Sequence, residues 1–122
     1  MIFGFLYQSI SSYPFDFRDE NQDVIINCSS GLSDAVIPRT VKEIYSKGYS
    51  IYAFKNCKET IKSIRFEDNN QIISISSYSF SQTKIESADL SNCNHLTLLN
   101  SYIFQNCYFL NTVLLPQNIL SI

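Results

Sequence analysis

Apolar residues recur along the chain in one figure, apolar-x-x-apolar-x-apolar, which appears four times: Leu32-Ala35-Ile37, Ile61-Ile64-Phe66, Ile85-Ala88-Leu90 and Leu110-Val113-Leu115. The closing residues of successive figures lie 29, 24 and 25 positions apart. A fixed period of that length marks a stacked-repeat solenoid, because one unit cannot bury its apolar face until a neighbour lies above and below it. The alternation at the end of each figure predicts a short, half-buried strand. Four such strands predict a parallel ladder on one face of about four rungs, with loops or short turns on the opposite face.

Anchoring on these figures brings other positions into register. Ile25, Phe54, Phe80 and Phe104 precede them, and three residues later come Cys28, Cys57, Thr83 and Cys107. After each strand two apolar positions follow, three apart: Val41 and Ile44, Ile72 and Ile75, Leu96 and Leu99, Ile119 and Ile122. Tyr78 and Tyr102 open short turns of the Ser-Tyr-x-Phe type on the opposite wall, and residues 46–52 form an outward loop on the first rung. The chain divides into an N-terminal segment, 1–23, that covers the first rung, and the array, 24–122. Within the segment, residues 2–7 read as an apolar cap; as a secretory signal they are weak, since no basic residue precedes them. Asp16, Asp19, Glu20 and Asp23 read as an unstructured acidic lead-in. No polar closing repeat follows Ile122, so the expectation is either a longer array or an open C-terminal rung that self-associates.

The strand figure is that of the leucine-rich repeat. Ala53-Phe54-Lys55-Asn56-Cys57 and Ile103-Phe104-Gln105-Asn106-Cys107, followed after the strand by Ile37-Pro38-Arg39-Thr40-Val41-Lys42-Glu43-Ile44 and Leu115-Pro116-Gln117-Asn118-Ile119-Leu120-Ser121-Ile122, resemble the BspA-like subclass of leucine-rich repeat proteins. The middle repeats depart from it: Glu67 and Ser91 replace the proline, and Thr83 replaces one cysteine. The resemblance implies a cell-surface or secreted antigen or adhesin that recognises host or matrix proteins. The alternative is a cytoplasmic leucine-rich repeat scaffold for protein–protein contacts.

Composition narrows the field. The net charge is −2 over 122 residues, which favours neither nucleic acid nor an anionic membrane as partner. No apolar run approaches the ~20 residues of a membrane-spanning helix. The charge is uneven: residues 39–62 carry six cations (Arg39, Lys42, Lys47, Lys55, Lys58, Lys62) against Glu43 and Glu59, whereas residues 90–122 carry no Lys, Arg, Asp or Glu. The basic segment maps to the back and outer loop of the first full rung, where simple solvation is the ordinary use and contact with an acidic partner the other.

The chain offers little for catalysis: one histidine, His95, no glycine-rich phosphate loop and no paired carboxylates. No cofactor is expected, and Cys93-x-His95 matches no zinc spacing, so no metal is expected either. Cys28, Cys57 and Cys107 share a column, with side chains expected to point the same way, which reads as buried thiols rather than bridges. Cys93 falls in another column, three residues past its strand, in line with Asn69 and Asn118.

Non-catalytic protein binding is thus the expected function, with the outward strand residues as the site. One column runs Val36, Arg65, Asp89, Leu114; a second runs Asp34, Ser63, Ser87, Thr112; Glu67 follows the second strand. Val36, Ser63, Arg65, Glu67, Ser87, Asp89, Thr112 and Leu114 form a polar strip with apolar ends, suited to a protein or a glycan. A cross-strand ion pair between Arg65 and Asp89 is the competing use of those two charges.

Overall fold

A computed structural model describes residues 13–120. The apolar start at residues 2–7 and the final Ile122 lie outside the described residues. Eight short strands alternate between two walls: β1 (Phe15–Phe17), β2 (Val24–Cys28), β3 (Asp34–Ile37), β4 (Glu43–Ile44), β5 (Ser63–Phe66), β6 (Ser74–Ile75), β7 (Ser87–Asp89) and β8 (Thr112–Leu114). They assemble into two sheets, β1-β2-β4-β6 and β3-β5-β7-β8. Every pairing is parallel except β1 with β2. The molecule is a parallel-strand β-solenoid of about three turns, as the repeat figure requires.

The register follows the sequence columns. Asp34, Ser63, Ser87 and Thr112 lie side by side across β3, β5, β7 and β8, as do Ala35, Ile64, Ala88 and Val113. The inward positions are buried to about 3% exposure or less through the first three rungs (Ala35, Ile37, Ile61, Ile64, Phe66, Ile85, Ala88, Leu90). On the last rung Val113 and Leu115 are exposed at 37% and 38%, because no neighbour stacks beyond them among the described residues. The post-strand pairs Val41/Ile44 and Ile72/Ile75 complete the core at 0% exposure. Between the walls Phe54, Phe80 and Phe104 stack in file, with ring centroids 4.6 and 5.6 Å apart.

Several expectations are corrected. Ile25 does not head the phenylalanine column: it pairs with Ile44, which pairs in turn with Ile75. Phe15 takes the head position instead, its ring 6.2 Å from that of Phe54. The first rung runs from β2 almost directly into β3 and lacks the turn that supplies a phenylalanine elsewhere. The acidic lead-in is therefore structured: Phe15–Phe17 forms β1, antiparallel to β2, with Asp16 exposed and Phe15 in the core. Second, Asn70 rather than Asn69 aligns with Cys93. Asn69 takes a left-handed backbone (φ 61°) and faces solvent, whereas Asn70 is 4% exposed.

Third, Cys28 and Cys57 are paired as a disulfide, with Cα atoms 6.3 Å apart. The expectation of parallel, non-bridging side chains assumed two equivalent strand positions. Cys28 ends a strand, but Cys57 sits in a turn, so the two side chains meet from different backbone directions at a separation a disulfide spans. Cys107 remains free, its thiol donating to the Phe80 carbonyl at 2.9 Å with Thr83 Oγ1 at 3.6 Å. Cys93 is also free and fully buried, and burial above all pushes its thiol pKa up to about 12.

Candidate recognition surface

Period-2 alternation points every second strand residue away from the core, so the β3-β5-β7-β8 sheet presents its columns outward. Val36, Arg65, Asp89 and Leu114 are neighbours across the four strands. Arg65 is exposed and Asp89 half-buried, and together with Phe66, Asp68, Ser91 and Asn92 they line a hollow of about 270 Å3. Val36 is half-buried at one end of the column, and Leu114 is 49% exposed at the other.

The charges in this hollow are fixed by side chains from the following loop. The backbone N–H and hydroxyl of Ser91 both donate to Asp89 Oδ1, at 3.0 and 2.6 Å. These bonds, the hydroxyl's first, hold the Asp89 pKa below its ordinary value against a small opposing effect of burial. The floor is an asparagine relay. Asn92 Nδ2 donates to the Phe66 carbonyl at 3.0 Å and to Asp68 Oδ1 at 3.2 Å, while Asn70 Nδ2 donates to the carbonyls of Glu67 and Asn92 at 3.0 and 3.2 Å. Buried amides satisfied in this way tie one rung's loop to the next.

The ion pair weighed for Arg65 and Asp89 is absent among the described residues. The salt bridges there are Arg18–Asp19 at 3.6 Å and Lys84–Glu59 at 3.0 Å, both exposed. Arg65 thus presents a guanidinium with no ion-pair partner among the described residues, next to an ionised Asp89 and beside Asp68. An arrangement with separated donor and acceptor edges can take a ligand that carries both kinds of group.

Other expected site residues are engaged locally. Ser63 Oγ donates to Asp34 Oδ1 at 2.7 Å, and Thr112 Oγ1 donates to Asn111 Oδ1 at 2.8 Å. Glu67 Oε1 accepts the Arg39 backbone N–H at 2.8 Å, tying two rungs together outside the hollow. Ser87 occupies its column between Ser63 and Thr112 but does not line the hollow. Asp68 and Asn92 were missed because they stand past the strand, where alternation no longer sets direction; a polar residue repeated at that place in adjacent rungs was the available signal.

A larger hollow of about 300 Å3 lies on the turn wall, between Glu59, Gln82, Thr83, Lys84, Asn106, Tyr108 and Phe109. Its cation and its carboxylate already hold each other. Among the described residues no three His, Cys, Asp or Glu side chains are grouped to hold a metal ion, and no helix is long and apolar enough to cross a membrane.

A family model, BspA type leucine rich repeat region, matches residues 26–122 with six copies of the repeat. Comparison with curated proteins and with solved structures returned no match.

Proposed function

Since the chain belongs to the BspA-type leucine-rich repeat family, whose repeats form protein-interaction modules in general without enzymatic activity, we propose that it is a non-catalytic recognition protein of the cell surface or the secreted space. It binds another protein through the outer face of the β3-β5-β7-β8 sheet. The observation that carries the reading is the hollow where Arg65 stands without an ion-pair partner beside an ionised Asp89. Complementary charges there set register and partner choice, and the exposed Leu114 adds an apolar contact on the same column. Val36, Ser63, Ser87, Thr112 and Glu67 frame that contact.

The Cys28–Cys57 disulfide supports the location, because structural disulfides persist outside the reducing cytoplasm. It weighs against the cytoplasmic scaffold reading.

The test is binding of the purified chain to immobilised matrix proteins by biolayer interferometry. Arg65→Ala combined with Leu114→Ala should weaken binding at least about tenfold, the loss of ~1.4 kcal/mol, with an unchanged melting profile. Equal affinity in the variant would move the site elsewhere. Lysine labelling of intact cells checks the location: labelling only after permeabilisation would favour the scaffold.

A further inference from the structure

Among the turns that connect the two sheets lies another hollow, of about 230 Å3, lined by Tyr49, Ser50, Tyr52, Lys55, Lys58 and Gln82. Two cations border it and no carboxylate does. Glu59, the acid next in sequence, is held by Lys84 at 3.0 Å. Lys55 donates to the Ser50 carbonyl at 2.7 Å, which leaves two of its three N–H donors free. Lys58 is half-buried, and its ammonium has no ion-pair partner among the described residues. Two like charges at one hollow repel, and a partly buried one lacks compensation, unless an anion lies between them.

The remaining lining supplies neutral donors: two phenols, one hydroxyl and one amide. Burial, followed by nearby Tyr49, Cys107 and Glu59, raises the Tyr52 pKa, so its phenol stays a donor. Tyr49 also begins a row of rings along the array. Its centroid is 5.7 Å from that of Tyr78, and Tyr78 stacks on Tyr102 at 5.2 Å with the planes 4° apart. Tyr78 and Tyr102 hold left-handed backbones (φ 66° and 65°), uncommon for bulky residues and imposed by the turns. A row of fixed phenols leading from a cationic hollow offers apolar edges and polar tips together, which matches the mixed surface of a sugar. The hollow is smaller than the ~300–1,000 Å3 typical of drug-sized ligands, so it takes one charged group while the rest of the ligand lies along the row.

We propose that this hollow binds a tetrahedral oxyanion ester carried on a glycan, with Lys55 and Lys58 as its counter-charges and the Tyr49-Tyr78-Tyr102 row as the track for adjoining sugar units. The site is independent of the strand face and of the function proposed for it. Sulfate and phosphate esters share the required chemistry.

Isothermal titration of the full chain at low salt with a sulfated oligosaccharide, a phosphorylated one of the same backbone, and the uncharged backbone tests it. At least one charged form should bind about tenfold or more tighter than the uncharged form, and the tighter of the two identifies the ester; added salt should weaken it. Lys55→Gln with Lys58→Gln should reduce that affinity about tenfold, and Arg65→Ala should leave it unchanged. Equal binding of charged and uncharged sugars, no binding of either charged form, or full affinity in the double variant would overturn the proposal. If the double variant fails to fold by circular dichroism, Lys55→Gln alone decides, because Lys55 is exposed; a loss of at least about threefold supports the site, and none overturns it.

Discussion

Asp89 and Arg65 lie side by side on neighbouring strands, yet no salt bridge joins them among the described residues. Ser91 supplies two hydrogen bonds that favour the charged form of Asp89, so Ser91→Ala should raise the Asp89 pKa toward the ordinary carboxylate value in an NMR titration. The sign for stability follows. A carboxylate whose folded pKa is lowered stabilises the fold above its unfolded pKa of ~3.9, and that contribution is lost as pH falls through the lowered value. The gap in melting temperature between wild type and Ser91→Ala should therefore close in strong acid. Arg65→Ala, at an exposed position, should change stability by no more than ~0.5 kcal/mol in a denaturant titration. The thiols differ too: Cys107 should react with a thiol reagent near pH 8 before Cys93, which is fully buried and whose pKa is pushed up to about 12. Alternation placed Arg65 and Asp89 in one column, on neighbouring strands, where they lie. It could not place Ser91, Asp68 and Asn92 as the walls of one hollow, because loop backbones choose direction by hydrogen bonding rather than by period.

The phenylalanine file is the element on which the rungs depend. Phe80 lies between Phe54 and Phe104 at 1% exposure, and Phe80→Ala should cost about 3–5 kcal/mol in denaturant unfolding. Phe104, half-buried on the outer rung, should cost clearly less. We take β1 as the cap of the file, since Phe15 heads it from an antiparallel strand; Phe15→Ala should then destabilise the first rungs while the mutant keeps its parallel ladder. The spacing of Phe54, Phe80 and Phe104 was plain in the sequence. Phe15 was not, because an antiparallel strand reaches the same place without the repeat period. Ile25 misled for a related reason: its distance to Cys28 copies that of Phe54 to Cys57, but the missing turn leaves it on the other column.

At the scale of the whole molecule the solenoid has two differently charged walls, one with a neutral-to-acidic strand hollow and one with cations beside a tyrosine row. The Cys28–Cys57 disulfide joins the first two rungs across 29 residues, and a loop of that length contributes on the order of 3–4 kcal/mol in the chain-entropy account. Replacing both cysteines with serine should lower the melting temperature, and a reducing agent should lower that of wild type alone. Repeat period and core columns carried the architecture into the sequence almost whole, while the disulfide escaped because it depends on the local angle between two backbones. The most direct measurement of the recognition claim is hydrogen–deuterium exchange of the chain alone and with a bound protein partner. Slowed exchange over Ser63–Phe66 and Ser87–Asp89 and the loops that follow them is the result expected. Unchanged exchange there, with protection confined to the turn wall, would contradict it.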